Sequence, residues 1–326
     1  MVHKVFIDGD VGTTGLQIRE RLERREDVTL VRIDAALRKD VPARLAAFTE
    51  AEVAILCLPD AAAKEIVAAC DGAGLRTRII DASTAHRTHP DWCFGFAEMA
   101  AGQRDAIRTA ARVTNPGCWS TCAIALIRPL VDAGLIDPAH PPAISGVSGY
   151  SGGGKAMIEE FESGAVQGSF LYGVAQGHKH LPEIIRYARL ARPPVFVPSV
   201  GQYAQGMAVA VHIDLGTEGI ARAEEVLRAH YATETFVTVV PADSHEPRVW
   251  PQALNGTNRM ELSVHGNRDT GTATLIAVLD NLGGAFIATR LWLSPRASSG
   301  PSTRPSARTG GRARPRHAAS PARYRG

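Results

Sequence analysis

The sequence predicts an α/β protein of two domains: an N-terminal parallel sheet of the Rossmann type, then an α+β catalytic and oligomerisation domain, with a disordered C-terminal tail. Three observations carry this. Over the first hundred residues short apolar runs alternate with helical patterns of about a dozen residues, the mark of a parallel sheet covered on both faces. After Cys118 strand-like runs dominate and long helices are few, which fits a larger, mostly antiparallel sheet. Residues 295–326 are Arg, Ser, Pro, Ala and Gly without apolar periodicity. The chain has 326 residues, enough for two buried cores. Domains are expected at 1–117 and 118–279, with 280–294 able to complete the first and 295–326 as a basic tail.

In order, Val5–Asp8 reads as a strand, Thr14–Arg25 as a helix and Val28–Asp34 as a second strand. Val53–Leu58 is a buried run stopped by Pro59, followed by a helix over Ala61–Ala73 and a strand at Arg78–Ala82. A helix over Thr121–Ala133 ends near Gly134. Beyond it strands are expected at Ala143–Val147, Val195–Val200, Ala208–Leu215, Thr235–Val240, Arg259–His265 and Thr272–Leu279. Helices are expected at Lys155–Glu162, Pro182–Leu190 and Ile220–Ala229.

The formal charge of +3 misrepresents the body of the chain. Nine of the 36 basic residues lie after Gly284, where there is no Asp, Glu or Lys; the remainder is 27 basic against 33 acidic, a net of −6. That distribution leaves no nucleic-acid footprint. No apolar run approaches the ~18 residues of a membrane span, and the N-terminus has no signal-peptide layout. The five cysteines form no C-x-x-C pair, so a reduced cytoplasmic protein with neither zinc nor disulfides is expected.

Five segments carry chemistry, together with the residues that follow the second strand. Asp8–Gly15 follows the first strand and opens the first helix, with Gly9, Gly12 and Gly15 spaced G-x-x-G-x-x-G; such a turn lets backbone approach a pyrophosphate at a helix N-terminus, and Thr13 and Thr14 add hydroxyls. Asp34 favours a ribose diol, whereas Arg38 and Lys39 favour the 2′-phosphate of NADP, so NAD and NADP both stay open. Asn115-Pro116-Gly117-Cys118 places a thiol at a tight turn beside a helix start, where amides and the helix dipole lower a thiol pKa and can hold an oxyanion; this is the expected nucleophile. Gly177–Glu183 supplies His178 and His180 as acid/base candidates, with Glu183 able to orient one of them; His180 is preferred because it lies nearer the helix start. Asp81–Arg87, with Ser83, leaves a strand end, and Ser148–Lys155, with Ser148 and Gly149, is a flexible loop ending in a cation. Arg87 and Lys155 are candidate grips for phosphate or carboxylate.

Taken in this order, Gly9/Gly12/Gly15, Asp81–Arg87, Asn115–Thr121, Gly146–Lys155 and Gly177–Glu183 resemble the shorter bacterial type of N-acetyl-gamma-glutamyl-phosphate reductase over residues 1 to about 283. The resemblance implies a fold like aspartate-semialdehyde and glyceraldehyde-phosphate dehydrogenases, NADPH as donor and a homo-oligomer. It implies a thioester on Cys118 between an acyl phosphate and an aldehyde, with His178 and His180 as acid/base. Ser83 would then touch the cofactor, and Arg87, Asn115, Ser148, Gly149, Lys155 and Glu183 the substrate. Reductases of aspartyl or aminoadipyl phosphate, and a non-catalytic nucleotide sensor, are the competing readings. The sequence departs from the family after Gly283, where a Lys-Gly-Ala-rich helix gives way to the arginine-rich stretch; a shifted reading frame would account for it.

Overall fold

The computed structural model describes residues 2–245 and 247–282. The sequence expectations for 283–326, the basic tail and most of the 280–294 segment, lie outside these residues.

The first half runs β1 (His3–Asp8), α1 (Thr13–Glu23), β2 (Val28–Val31), α2 (Val41–Glu50), β3 (Val53–Leu56), α3 (Asp60–Gly72), β4 (Arg78–Asp81), β5 (Cys93–Phe94), α4 (Gln103–Thr109) and β6 (Arg112–Thr114). Its six strands lie in the order β2-β1-β3-β4-β6-β5, every pair parallel. Side chains alternate between the faces because the strand period is two. Val5, Ile7, Val53, Ile55 and Ile80 pack with Ile18 and Leu22 of α1 on one face. Phe6, Ala54, Leu56 and Ile79 meet Phe48 of α2 and Ile66 of α3 on the other. Each such large side chain contributes about 1.5–3 kcal/mol by leaving water. The second strand stops at Val31, short of the expected Asp34. Asp34 instead caps a single 3-10 turn, accepting from the amide of Ala36 at 2.9 Å.

The second half contains α5 (Cys118–Asp132), β7 (Ala143–Gly149), α6 (Lys155–Glu162), β8 (Phe170–Leu171), α7 (Leu181–Tyr187), β9 (Phe196–Gly201), β10 (Met207–Asp214), α8 (Gly216–Tyr231), β11 (Val237–Val239), β12 (Met260–Gly266) and β13 (Thr272–Leu279). Its seven strands run β11-β12-β13-β10-β7-β9-β8. The sheet is mixed: β11 pairs β12 and β7 pairs β9 in parallel, and the other four pairs are antiparallel. One face, with Ile144, Phe196, Val209, Val211, Leu262 and Leu275, forms a core with α5, α7 and α8. By alternation Val147, Val197, Ala210 and Ile276 face the other way and are half-buried.

In the first sheet the strand order reverses at β1, the position where open α/β sheets bind ligands beyond their carboxyl ends. Four of those ends supply Gly9, Cys57, Ala82 and Asn115. Among the described residues no helix is long and apolar enough to cross a membrane, and no group of His, Cys, Asp and Glu is placed to hold a metal ion.

Candidate active site

Gly9 has φ +91°, and a Cβ there would collide with the carbonyl of Cys57. A Cβ on Gly15 would lie 2.9 Å from the Asp10 Cα. These two glycines therefore let the loop fold tightly against β3, while Gly12 caps α1 and leaves room for a ligand. Beside this loop a cavity of about 330 Å³ is lined by Gly9, Asp10, Arg19, Arg32, Arg38 and Lys39. Asp10 accepts long ion pairs from Arg19 (3.5 Å) and Arg38 (3.7 Å). Asp34 does not line the cavity. The acid that favoured NAD is committed to its turn, and the cations that favour a 2′-phosphate face the space. Buried Asp8 anchors the end of β1 through Arg44, whose Nη2 donates at 2.6 Å; burial nonetheless raises the Asp8 pKa.

A second cavity, of about 290 Å³, gathers residues from both halves: Thr14, Ala82, Arg87, Asn115, Cys118, Ser148, Gly149, His178 and His180. Cys118 is the first residue of α5, three positions earlier than the sequence indicated, and is half-buried. Its thiol pKa is raised, not lowered. Burial dominates, the Trp119 amide and Arg87 oppose it, and Glu183 adds to it. A helix start favours thiolate locally, but desolvation of the anion wins here.

His180 is the N-cap of α7 and is buried, with Nδ1 unpartnered. The segment is a turn, and the rings of His178 and His180 stand edge to face 4.8 Å apart. The His180 amide donates to His178 Nδ1 at 3.2 Å, which leaves the proton of a neutral His178 on Nε2. Burial, with the charge of Lys179, pushes His178 down to about 4. Burial first, then Arg87, His178 and Lys179, hold His180 well below the usual imidazole range. Both rings are neutral at physiological pH, so the resting pair is thiol and imidazole.

Glu183 orients neither histidine. It is fully buried: Oε1 accepts from Arg87 Nη1 at 2.8 Å, and Oε2 accepts from the Gly117 amide at 3.0 Å and the Ser120 hydroxyl at 2.6 Å. Arg87 is thus held by Glu183, with its Nε buried and unpartnered. Asn115 Oδ1 is likewise unpartnered. Ser148 and Gly149 line the cavity, but Ser83 does not: its hydroxyl donates to Asp81 at 2.8 Å, and only its neighbour Ala82 reaches the space. Lys155 stands apart from Cys118, in a groove shared with Gly12, Thr14, Cys57 and Ala82.

Sequence reasoning missed Tyr172, Asn281 and Leu282, which also line the cavity. Asn281 accepts from the Gly206 amide at 2.8 Å and donates to the Ser151 hydroxyl at 3.2 Å, tying the end of β13 to the loop after β7. Three α-helices that open on these spaces, α1, α5 and α6, have glycine N-caps (Gly12, Gly117, Gly154), no capping side chain and no acidic residue in the first turn.

A parallel nucleotide-type sheet and a mixed sheet, with a cysteine at a helix start between them, define a dehydrogenase of the semialdehyde class. Residues 4–110 match the semialdehyde dehydrogenase NAD binding domain and 118–281 the semialdehyde dehydrogenase dimerisation domain. Solved structures share the fold. Aspartate semialdehyde dehydrogenase from Francisella tularensis is 15% identical with a TM-score of 0.67, covering 89% of this chain and 98% of that one. The Candida albicans aspartate semialdehyde dehydrogenase with NADP is 11% identical with a TM-score of 0.61, over 89% and 98%. Among curated relatives, N-acetyl-gamma-glutamyl-phosphate reductase from Brucella ovis is 48% identical over 294 residues, 87% of this chain and 94% of the relative. The Brucella suis reductase is 47% identical over the same shares. The chain belongs to the N-acetyl-gamma-glutamyl-phosphate reductase family.

Proposed function

We propose that the protein reduces N-acetyl-gamma-glutamyl phosphate to N-acetylglutamate 5-semialdehyde and phosphate with NADPH, in the arginine biosynthesis of the cytoplasm. The observation that carries this reading is the cleft that joins Cys118, His180, Arg87 and Asn115 from both halves of the chain. Residues 1–117 serve the nucleotide and 118–279 the chemistry. The half-buried outer face of the second sheet, with Val147, Val197, Ala210 and Ile276, suits the contact between copies that a dimerisation domain needs.

The residues present suit NADPH. Gly9, Gly12 and Gly15, with the α1 N-terminus at Thr13 and Thr14, would hold the pyrophosphate; Arg32, Arg38 and Lys39 would hold the 2′-phosphate; Lys155 faces the same loop from the other half. When bound, this group supplies the hydride that reduces the thioester. Neutral His180 takes the proton of Cys118 as the sulfur attacks the acyl carbon, and passes it to the departing phosphate. The uncapped first-turn amides of α5 face the oxygen that becomes negative as the carbonyl is attacked, and again as the hemithioacetal forms. Collapse of that oxyanion breaks the carbon–sulfur bond, frees the aldehyde and leaves the Cys118 thiolate, which regains its proton from solvent through His180. Asn115 and Arg87 bind the acyl phosphate, with Ser148 and Gly149 lining the same cavity.

The test is phosphate-dependent reduction of NADP, and separately of NAD, with N-acetylglutamate semialdehyde and with aspartate semialdehyde. The first aldehyde with NADP should be preferred, and Cys118→Ser should lose turnover while still binding NADPH. Preference for aspartate semialdehyde would overturn the substrate, and turnover surviving in Cys118→Ser would overturn the thioester.

A further inference from the structure

We propose that Glu183 is a positioning residue for the nucleophile, holding the turn that presents Cys118 while its ion pair with Arg87 locks the two halves of the chain together over the site. This rests on the reading of Cys118 as nucleophile but not on the identity of the substrate.

The argument starts from what a buried carboxylate requires. Glu183 is 1% exposed, and such a charge is tolerated only where its oxygens are paired and hydrogen-bonded. Every partner it has lies next to the nucleophile or on the loop facing it. The Gly117 amide belongs to the residue just before Cys118, and Ser120 sits two residues after it, so one carboxylate oxygen grips the turn on both sides of the thiol. The other oxygen reaches Arg87, 96 positions earlier and beyond the end of β4. Additional contacts hold α7 against the same loop. The Tyr187 hydroxyl donates to the Arg87 carbonyl at 2.9 Å, Arg186 donates to the Thr88 carbonyl at 3.0 Å, and the rings of Phe94 and Tyr187 stack at 3.8 Å.

Because His180 caps α7 three residues before Glu183, the helix that carries the base also clamps the turn that carries the thiol. Geometry closes the triangle: a Cβ on Gly117 would stand 2.7 Å from both Arg87 Nη1 and His180 Cδ2. Turn, base and guanidinium are therefore in mutual contact, with the Glu183 carboxylate at the junction. A substrate ligand would keep an oxygen free for the ligand; both oxygens of Glu183 are already engaged within the protein.

The test reads the thiol without turnover. The rate of Cys118 carbamoylmethylation by iodoacetamide is followed against pH by mass of the active-site peptide, in the full-length protein and in Glu183→Gln. Removing the anion leaves Arg87 facing the thiol unopposed, so the inflection should move down by about one unit. In the same variant kcat should fall with KM little changed. Arg87→Gln/Glu183→Gln removes both charges together, leaves no unpaired ion and gives a second folded form to measure. In it the inflection should return to the wild-type position or above, because the cation outweighs the anion at the sulfur. An unshifted alkylation profile in the single variant, or a rise in KM alone, would overturn the proposal and make Glu183 a substrate contact. Should Glu183→Gln fail to fold, an inflection in the double variant below that of the wild type would overturn it equally. A wrong substrate assignment leaves the alkylation readouts unchanged.

Discussion

Replacing Gly117 by alanine adds one methyl group at the centre of the site. Residue 117 has φ −71° and ψ 148°, which alanine adopts freely, so no backbone strain confuses the result. The new Cβ would stand 2.7 Å from the Arg87 Nη1 and His180 Cδ2 atoms, whereas ordinary contact begins near 3.4 Å. His180 and Arg87 must therefore retreat by about 0.7 Å or more, and for catalytic groups misplacement on the 1 Å scale costs about 10²-fold in rate. That corresponds to about 3 kcal/mol in the barrier. Overpacking should destabilise the fold by about 1–3 kcal/mol, partly offset by the lower entropy of the unfolded alanine chain. The assay is phosphate-dependent NADP reduction by Gly117→Ala beside Gly72→Ala, where a Cβ meets nothing within 4 Å. Wild-type kcat in a folded Gly117→Ala would refute the claim that the turn at Gly117 is packed against His180 and Arg87.

Three further outcomes follow from other parts of the molecule. Arg38→Ala should weaken NADPH binding by about tenfold and leave NADH binding unchanged, read by cofactor fluorescence titration; equal losses for both would move the 2′-phosphate elsewhere. Arg44→Met leaves Asp8 buried without its partner and should cost about 3–5 kcal/mol in denaturant unfolding at pH 7. The loss should shrink at lower pH, because Asp8, already raised by burial, then takes a proton. The third concerns His178, whose folded pKa of about 4 lies below its unfolded value near 6.5. The unfolded chain binds the extra proton between those values, so the stabilisation is complete above pH 6.5 and is lost as pH falls to 4. Thermal melts of His178→Gln across that window should show a shallower decline than wild type, and parallel curves would contradict the shift.

The strands that position the site were legible because their residues are consecutively apolar, as in Val53–Leu56, or alternate, as in Met207–Asp214. The two- and three-residue strands Cys93–Phe94 and Arg112–Thr114 were not, since so few residues carry no period. Helix α2 escaped although Asp40 caps it and Pro42 stands in its first turn, both recognised start signals. That Cys118 opens a helix was legible from its turn, and that His180 stands at a helix start from the proline that follows. The engagement of Glu183 was not: Arg87 lies 96 positions away, and no local pattern encodes a contact of that span. The thiol shift failed for a related reason. A helix start is visible in sequence, but the burial that outweighs it is assembled from both halves of the chain.

The glycine caps of α1, α5 and α6 carry a consequence for the lifetime of the protein. A Ser, Thr, Asp or Asn cap is typically worth about 1 kcal/mol, and α2 has one in Asp40, but the three helices facing the cleft go without. First-turn amides without a side-chain cap are open to the anionic groups of a ligand, which would satisfy them on binding. Durability is thereby coupled to supply. Saturation at a hundredfold over Kd adds about 2.7 kcal/mol to unfolding. An enzyme copy made when nucleotide and acyl phosphate are scarce should unfold and turn over sooner than one made when its own pathway is running.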